Sequence, residues 1–150
     1  MRTARFVLAL PAGLVIMMAT IAAVESLGLR AFPPGETMAA AVELAKTDVE
    51  AGRDAMRDAL PTVPMGAFAS VLAAWMLGGA AGAFLAGSIA ARAHLALGVA
   101  VAALLLLACV TNLVLIPHPA WMWPAGVVLP AGTAVAVAAL TRPRGAAALR

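Results

Sequence analysis

"AHLALGVAVAALLLLACVTNLVLI", Ala93 to Ile116, contains no Asp, Glu, Lys or Arg. A helix crossing the ~30 Å hydrocarbon core of a bilayer needs about 20 predominantly apolar residues. This stretch meets that requirement, and in lipid only a helix or a closed barrel satisfies the backbone internally. Working outward, Phe6–Val24, Met65–Ala91 and Trp121–Thr141 repeat the pattern. With 64% hydrophobic and 11% charged residues in 150, the whole chain is built for the same solvent. A soluble domain carries about 25% charged residues. The expected fold is therefore all-α: a single membrane-embedded domain over 1–150, a four-transmembrane-helix bundle with one amphipathic outer helix between the first and second spans. No room is left for a separate soluble catalytic domain.

Charge placement gives an orientation. Arg2, Arg5, Arg92, Arg142, Arg144 and Arg150 fall on one side of the spans, and the 7 carboxylates, from Glu25 to Asp58, fall on the other. The positive-inside rule then puts both termini and the basic tail 142–150 in the cytoplasm, with the 26–64 segment and the "IPHPAW" turn (Ile116–Trp121) on the outer side. The same rule accounts for the basic pI of 10.5 without nucleic acid, for which no basic stripe interleaved with aromatics exists. "MRTAR" followed by "TIAAVES" (Thr20–Ser26) also reads as a secretory signal, but the apolar run exceeds the ~7–15 residues of a signal core, so a retained span is expected.

In the 26–64 segment, "FPPGE" (Phe32–Glu36) breaks the chain, because proline biases it to extended or turn backbone. A helix over 37–60 is expected after Thr37 as cap, with Met38, Val42, Ala45, Val49, Met56 and Leu60 on one face. Glu43 with Lys46, Glu50 with Arg53 and Asp54 with Arg57 stand at i,i+3 spacing for ion pairs. "PTVP" (Pro61–Pro64) ends the helix and returns the chain to the membrane. Such a helix lies on the membrane face or caps the bundle; a docking surface for a partner helix is the sharper alternative.

The second span carries Gly66, Ser70, Ala74, Gly78, Gly82, Ala86 and Ala90, all small and four apart. Small-xxx-small spacing lets backbones approach closely in lipid. A step of four winds the row roughly 240° around the helix, so no single neighbour covers it. The local cluster of Gly78, Gly79 and Gly82, with Ala74, reads as the crowded centre of the bundle or a homo-oligomer face. It is not a phosphate loop, which needs a preceding strand.

Ionisable groups inside a membrane are functional candidates by default, yet no charged residue occupies the middle of a span. One level holds several polar groups instead. Glu25 closes the first span, Arg30 lies just beyond it, Asn112 is about a turn inside the end of the third, and His118 sits in the following turn between Pro117 and Pro119. In a functional reading these form an outward-facing ligand site, with Glu25 orienting His118 and Asn112 fixing a ligand. In a structural reading, which is preferred, Asn112 bonds a neighbouring helix, Glu25 pairs with Arg30 or water, and His118 caps a helix end. Trp121 and Trp123 are expected as interfacial anchors, and Pro11 and Pro130 as bends in their helices. One histidine and one carboxylate fall short of a zinc ligand set, and a single Cys109 permits neither a disulfide nor a CxxC pair. No metal, cofactor or catalytic residue is implied.

"VES" (Val24–Ser26), "FPP" (Phe32–Pro34), "GGAAGAFLAGSIAAR" (Gly78–Arg92) and "NLVLIPHPAW" (Asn112–Trp121) together resemble a group of small, uncharacterised bacterial four-span integral membrane proteins. The resemblance covers nearly the whole chain, implies a bacterial inner-membrane protein and carries no activity. Small multidrug exporters are similar in size and in a first-span glutamate, but theirs lies well inside the membrane, whereas Glu25 reads as an edge residue. The expected function is non-enzymatic: a packing, assembly or envelope-accessory protein in the lipid bilayer, alone, as a homo-oligomer or with a membrane partner. The alternative is a small transporter or ligand-binding protein with a polar vestibule at Glu25, Asn112 and His118.

Overall fold

A computed structural model describes residues 2–90 and 93–141, with side chains from Leu8 onward, and among these residues it is helical without a strand. Four helices are long and apolar enough to cross a membrane: α1 (Arg2–Ala31), α4 (Met65–Ala90), α5 (His94–Leu115) and α6 (Met122–Leu140). Between α1 and α4 stand two shorter helices, α2 (Glu36–Ala45) and α3 (Val49–Ala59), followed by a 3-10 turn at Leu60–Thr62. Arg92, Arg142, Arg144 and Arg150, with the 142–150 tail, lie outside the described residues, as do the side chains of Arg2 and Arg5.

The first span does not end at Val24. Ser26 Oγ donates to the Ala22 carbonyl and Phe32 N–H to the Gly28 carbonyl, so "VESLGLRA" (Val24–Ala31) continues the helix. Pro33 and Pro34 stop it: neither has an N–H for the ladder, and each disfavours helical backbone in the residue before it. Glu25 therefore lies within the helix, six residues before its end at Ala31, rather than at its terminus. It also cannot pair with Arg30, because five residues on a helix place two side chains about 140° apart; no ion pair joins them.

The segment between α1 and α4 is amphipathic and helical, but in two pieces. Gly35, not Thr37, is the N-cap of α2. Asp48 caps α3 by accepting the Ala51 N–H at 3.0 Å, which starts a new helix that folds back on α2, although the hydrophobic spacing of the sequence runs unbroken across the joint. Gly52 then lies directly against the Ala45 backbone, a contact with no room for a side chain. Lys46–Glu43 and Arg57–Asp54 form at 2.7 and 2.8 Å, both exposed and individually weak. The Glu50–Arg53 pair does not form. Arg53 Nη2 instead donates to the Val114 carbonyl of α5 at 2.6 Å, and Arg53 Nε is buried without a partner. The last carbonyls of a helix lack intrahelical donors and carry the negative end of its dipole, so a guanidinium is drawn there over an exposed carboxylate.

In the bundle α4 is the hub. It packs along α1, α5 and α6, α5 packs on α6, and α1 meets α5 only along a thin seam. Val101, Leu105, Cys109 and Leu113 put one buried face of α5 into the core beside Trp75, Ala83, Met122 and Ala134. Ala74, Gly78, Gly79 and Gly82 are all buried inside this one chain. A methyl group added at Gly82 would stand 2.8 Å from the Gly13 carbonyl oxygen, and one at Gly13 would stand 2.8 Å from that of Gly82. Gly78 meets Ile21 and Met17 of α1, while Gly79 meets Leu105 of α5 and Ala134 of α6.

Two outcomes test this packing. Gly82→Val should lower the melting temperature of the solubilised protein, at a cost of about 1–3 kcal/mol for overpacking against backbone. Gly132→Ala, where an added carbon has nothing within 4 Å, should leave it unchanged or slightly raised. Arg53→Ala should speed amide exchange across α3 by roughly tenfold, read by hydrogen exchange mass spectrometry, while the spans keep their protection.

Candidate functional site

α1 and α5 both run toward the end of the bundle that carries the α2–α3 hairpin, and α4 starts there. Glu25 lies six residues before the end of α1 at Ala31, about 9 Å along the axis. Asn112 lies three residues before the end of α5 at Leu115. Because the α1–α5 seam is thin, these side chains meet a gap rather than each other's helices.

The gap holds two cavities. The one nearer the hairpin, about 270 Å³, is lined by Glu25, Ser70, Asn112 and His118, with Leu29, Phe32, Val71 and Ile116 as apolar wall. Gly28 lies against Ser70 at its base, which brings α1 onto α4 there. The deeper one, about 190 Å³, is lined by Met18, Ile21, Trp75, Leu105 and Cys109, again with Glu25 and Asn112. Glu25 and Asn112 thus stand on the wall between the two. Three of the four residues singled out from sequence are brought together. Arg30 is exposed, lines neither cavity and is not part of the site.

Each polar group has a distinct environment. The Glu25 carboxylate shares the wall of the deeper cavity with the Trp75 indole, across the α1–α4 interface. Ser70 Oγ donates to the Ala67 carbonyl at 2.8 Å, so its lone pairs remain. Asn112 makes no side-chain hydrogen bond to a neighbouring helix, against the structural expectation for it. A half-buried amide without a protein partner has two donors and an acceptor left for water or ligand.

His118 is not held out at the surface. Proline on both sides fixes the turn, and the ring folds back onto α4, 6.5 Å from the Phe68 ring centroid and 6.4 Å from that of Trp75. Phe68 and Trp75 are seven residues apart and share a helix face; Trp121 stands edge-on to Phe68 at 6.4 Å. Trp121 and Trp123 remain partly exposed at this end of α6. His118 Nδ1 lies 2.7 Å from the Ile116 carbonyl, which only accepts, so Nδ1 carries the proton and Nε2 is left as an acceptor in the neutral ring. Burial lowers the His118 pKa below its ordinary 6.5, and the Ile116 hydrogen bond offsets part of that.

The chain matches no protein-family model, no curated protein and no solved structure. Its chemistry rests on its own residues. Among the described residues no three of His, Cys, Asp and Glu come together as a metal-binding group. Trp75 and Ser70 belong to the site and were not signalled in the sequence, where an indole and a hydroxyl in an apolar span read as core and as one more small residue. The Phe68–Trp75 spacing is the one pattern that points to them.

The lowered His118 pKa carries a sign. The unfolded chain binds the proton more readily than the folded one, so this part of stability is complete above pH ~6.5 and is lost as pH falls from there toward the folded pKa. Imidazole NMR should show His118 titrating below the unfolded value. His118→Gln should flatten the decline in melting temperature over that window.

Proposed function

We propose that this chain is a small ligand-binding protein of a bacterial inner membrane, acting without catalysis as a carrier or receptor-like subunit. Its termini are cytoplasmic, and the hairpin with the upper cavity faces outward. One observation carries the reading: Glu25, Asn112 and His118 line a single cavity between α1, α4 and α5, and among the described residues the Asn112 amide has no partner. A half-buried amide without a protein partner keeps its two donors and its acceptor for whatever occupies the cavity. A cavity at the interface of bundle helices, mostly apolar with a few convergent polar groups, is the usual form of a small-molecule site. The arginine distribution supports the orientation.

A packing or assembly role has less support. Its motive was the small-residue row of α4, and Ala74, Gly78, Gly79 and Gly82 face neighbours from the same chain. The exposed apolar faces of α1 and α6, such as Leu8, Val15, Val128 and Leu140, are suited to lipid.

Thiol accessibility tests the proposal. In a Cys109→Ala background, Asn112→Cys should react with an impermeant methanethiosulfonate added to intact spheroplasts. Thr111→Cys, at the same depth but on an exposed flank of α5, should not. Absence of reaction at position 112 from either side of the membrane would sink the vestibule; reaction only in inverted vesicles would reverse the orientation.

A further inference from the structure

Among the described residues Glu25 has no counter-ion. The ion pairs among the described residues, Lys46–Glu43 and Arg57–Asp54, both belong to the hairpin. Arg53 is engaged at the α5 terminus, and Arg30 points away around α1. A carboxylate within a membrane span calls for a compensating charge or a proton. The groups around it add acceptors rather than cations: His118 Nε2, Ser70 Oγ and the Asn112 carbonyl. An anionic ligand would meet Glu25 with no positive group to offset it. A ligand with a positive charge and N–H donors meets complementary groups on several sides.

Shape narrows the class. Cavities of about 270 and 190 Å³ adjoin at Glu25 and Asn112, which line both. The deeper one is walled by Met18, Ile21, Leu105 and Ala108. Met18 is 56% exposed near the middle of α1, and Leu29 and Ile116, at 59% and 44%, flank the upper cavity. Exposed residues thus border both cavities along the α1–α5 seam.

We infer that the two cavities form one site for an amphiphilic organic ammonium ion. Its charged nitrogen lies beside Glu25, its apolar tail lies in the deeper cavity over Met18, Ile21 and Leu105, and it enters through the seam between α1 and α5. The inference rests on the ligand-binding reading and adds the ligand's charge, shape and route.

The test uses labelled hexylammonium, hexanol and hexanoate, equal in chain length and different in charge, with the full chain in lipid nanodiscs and empty nanodiscs subtracted. Hexylammonium should bind on the order of tenfold or more tighter than hexanol, and hexanoate should not bind above background. Glu25→Gln should bring hexylammonium down to the hexanol level, while Glu25→Asp retains the preference. Ala108→Leu, which narrows the deeper cavity, should weaken hexylammonium binding; this variant serves even if Glu25→Gln folds poorly. Equal binding of hexanol, preference for hexanoate, or a preference that survives Glu25→Gln overturns the ammonium assignment. Binding of none of the three overturns it alone if Asn112→Cys is reactive. An unreactive Asn112→Cys removes the reading beneath it.

Discussion

The backbone approach of α4 to α1 sets the rest of the architecture. Gly13 and Gly82 each put a carbonyl oxygen where the other's side chain would be, and Gly78 admits Ile21 beside them. In lipid, where apolar surface gains little by leaving its surroundings, such fitting is the main source of helix association. Gly79 does the same for α5 and α6. Once α4 is occupied on these sides, α1 is fixed to α4 and has little left to offer α5. The gap between α1 and α5 follows from that division of contacts, and both cavities lie in it.

The spans were legible because crossing a bilayer imposes a length and an absence of charge that few alternatives satisfy. The end of α1 was not, since apolar sequence stops at Glu25 while a helix ends where its hydrogen bonding is interrupted, here at Pro33, so Glu25 falls within the helix. The hairpin joint was hidden for a different reason: Asp48 and Gly52 act through a cap and a close contact, neither of which shows in the hydrophobic spacing of the sequence. Arg53 could not be assigned from the sequence, because its partner is a backbone carbonyl sixty-one positions away.

The site itself was half legible. That Glu25, Asn112 and His118 share a level follows from counting residues along two helices that run the same way. That they share a cavity depends on how far apart α1 and α5 stand, a property of α4's glycines rather than of any site residue. His118 shows the limit most plainly. Flanking prolines foretell a stiff turn, but only packing against Phe68 and Trp75 determines that the turn directs the ring inward.

The α2–α3 hairpin leaves α1 at Phe32 and rejoins α4 near Gly66, and the Phe32 ring lies on Gly66. Departure and return thus fall at nearly the same point, with Thr37 and Thr62 close to each other just beyond it. For the membrane helices, the segment is an excursion whose ends are already joined, so its contour length hardly enters the entropy of bringing α1 onto α4. A lineage could lengthen, shorten or exchange this hairpin without altering the register of α1 on α4. Exposed excursions of this kind are where chains best tolerate insertion. The part of the molecule most free to diverge is thus seated next to the mouth of the cavity, where a change of sequence can alter what reaches Glu25 while the bundle stays the same.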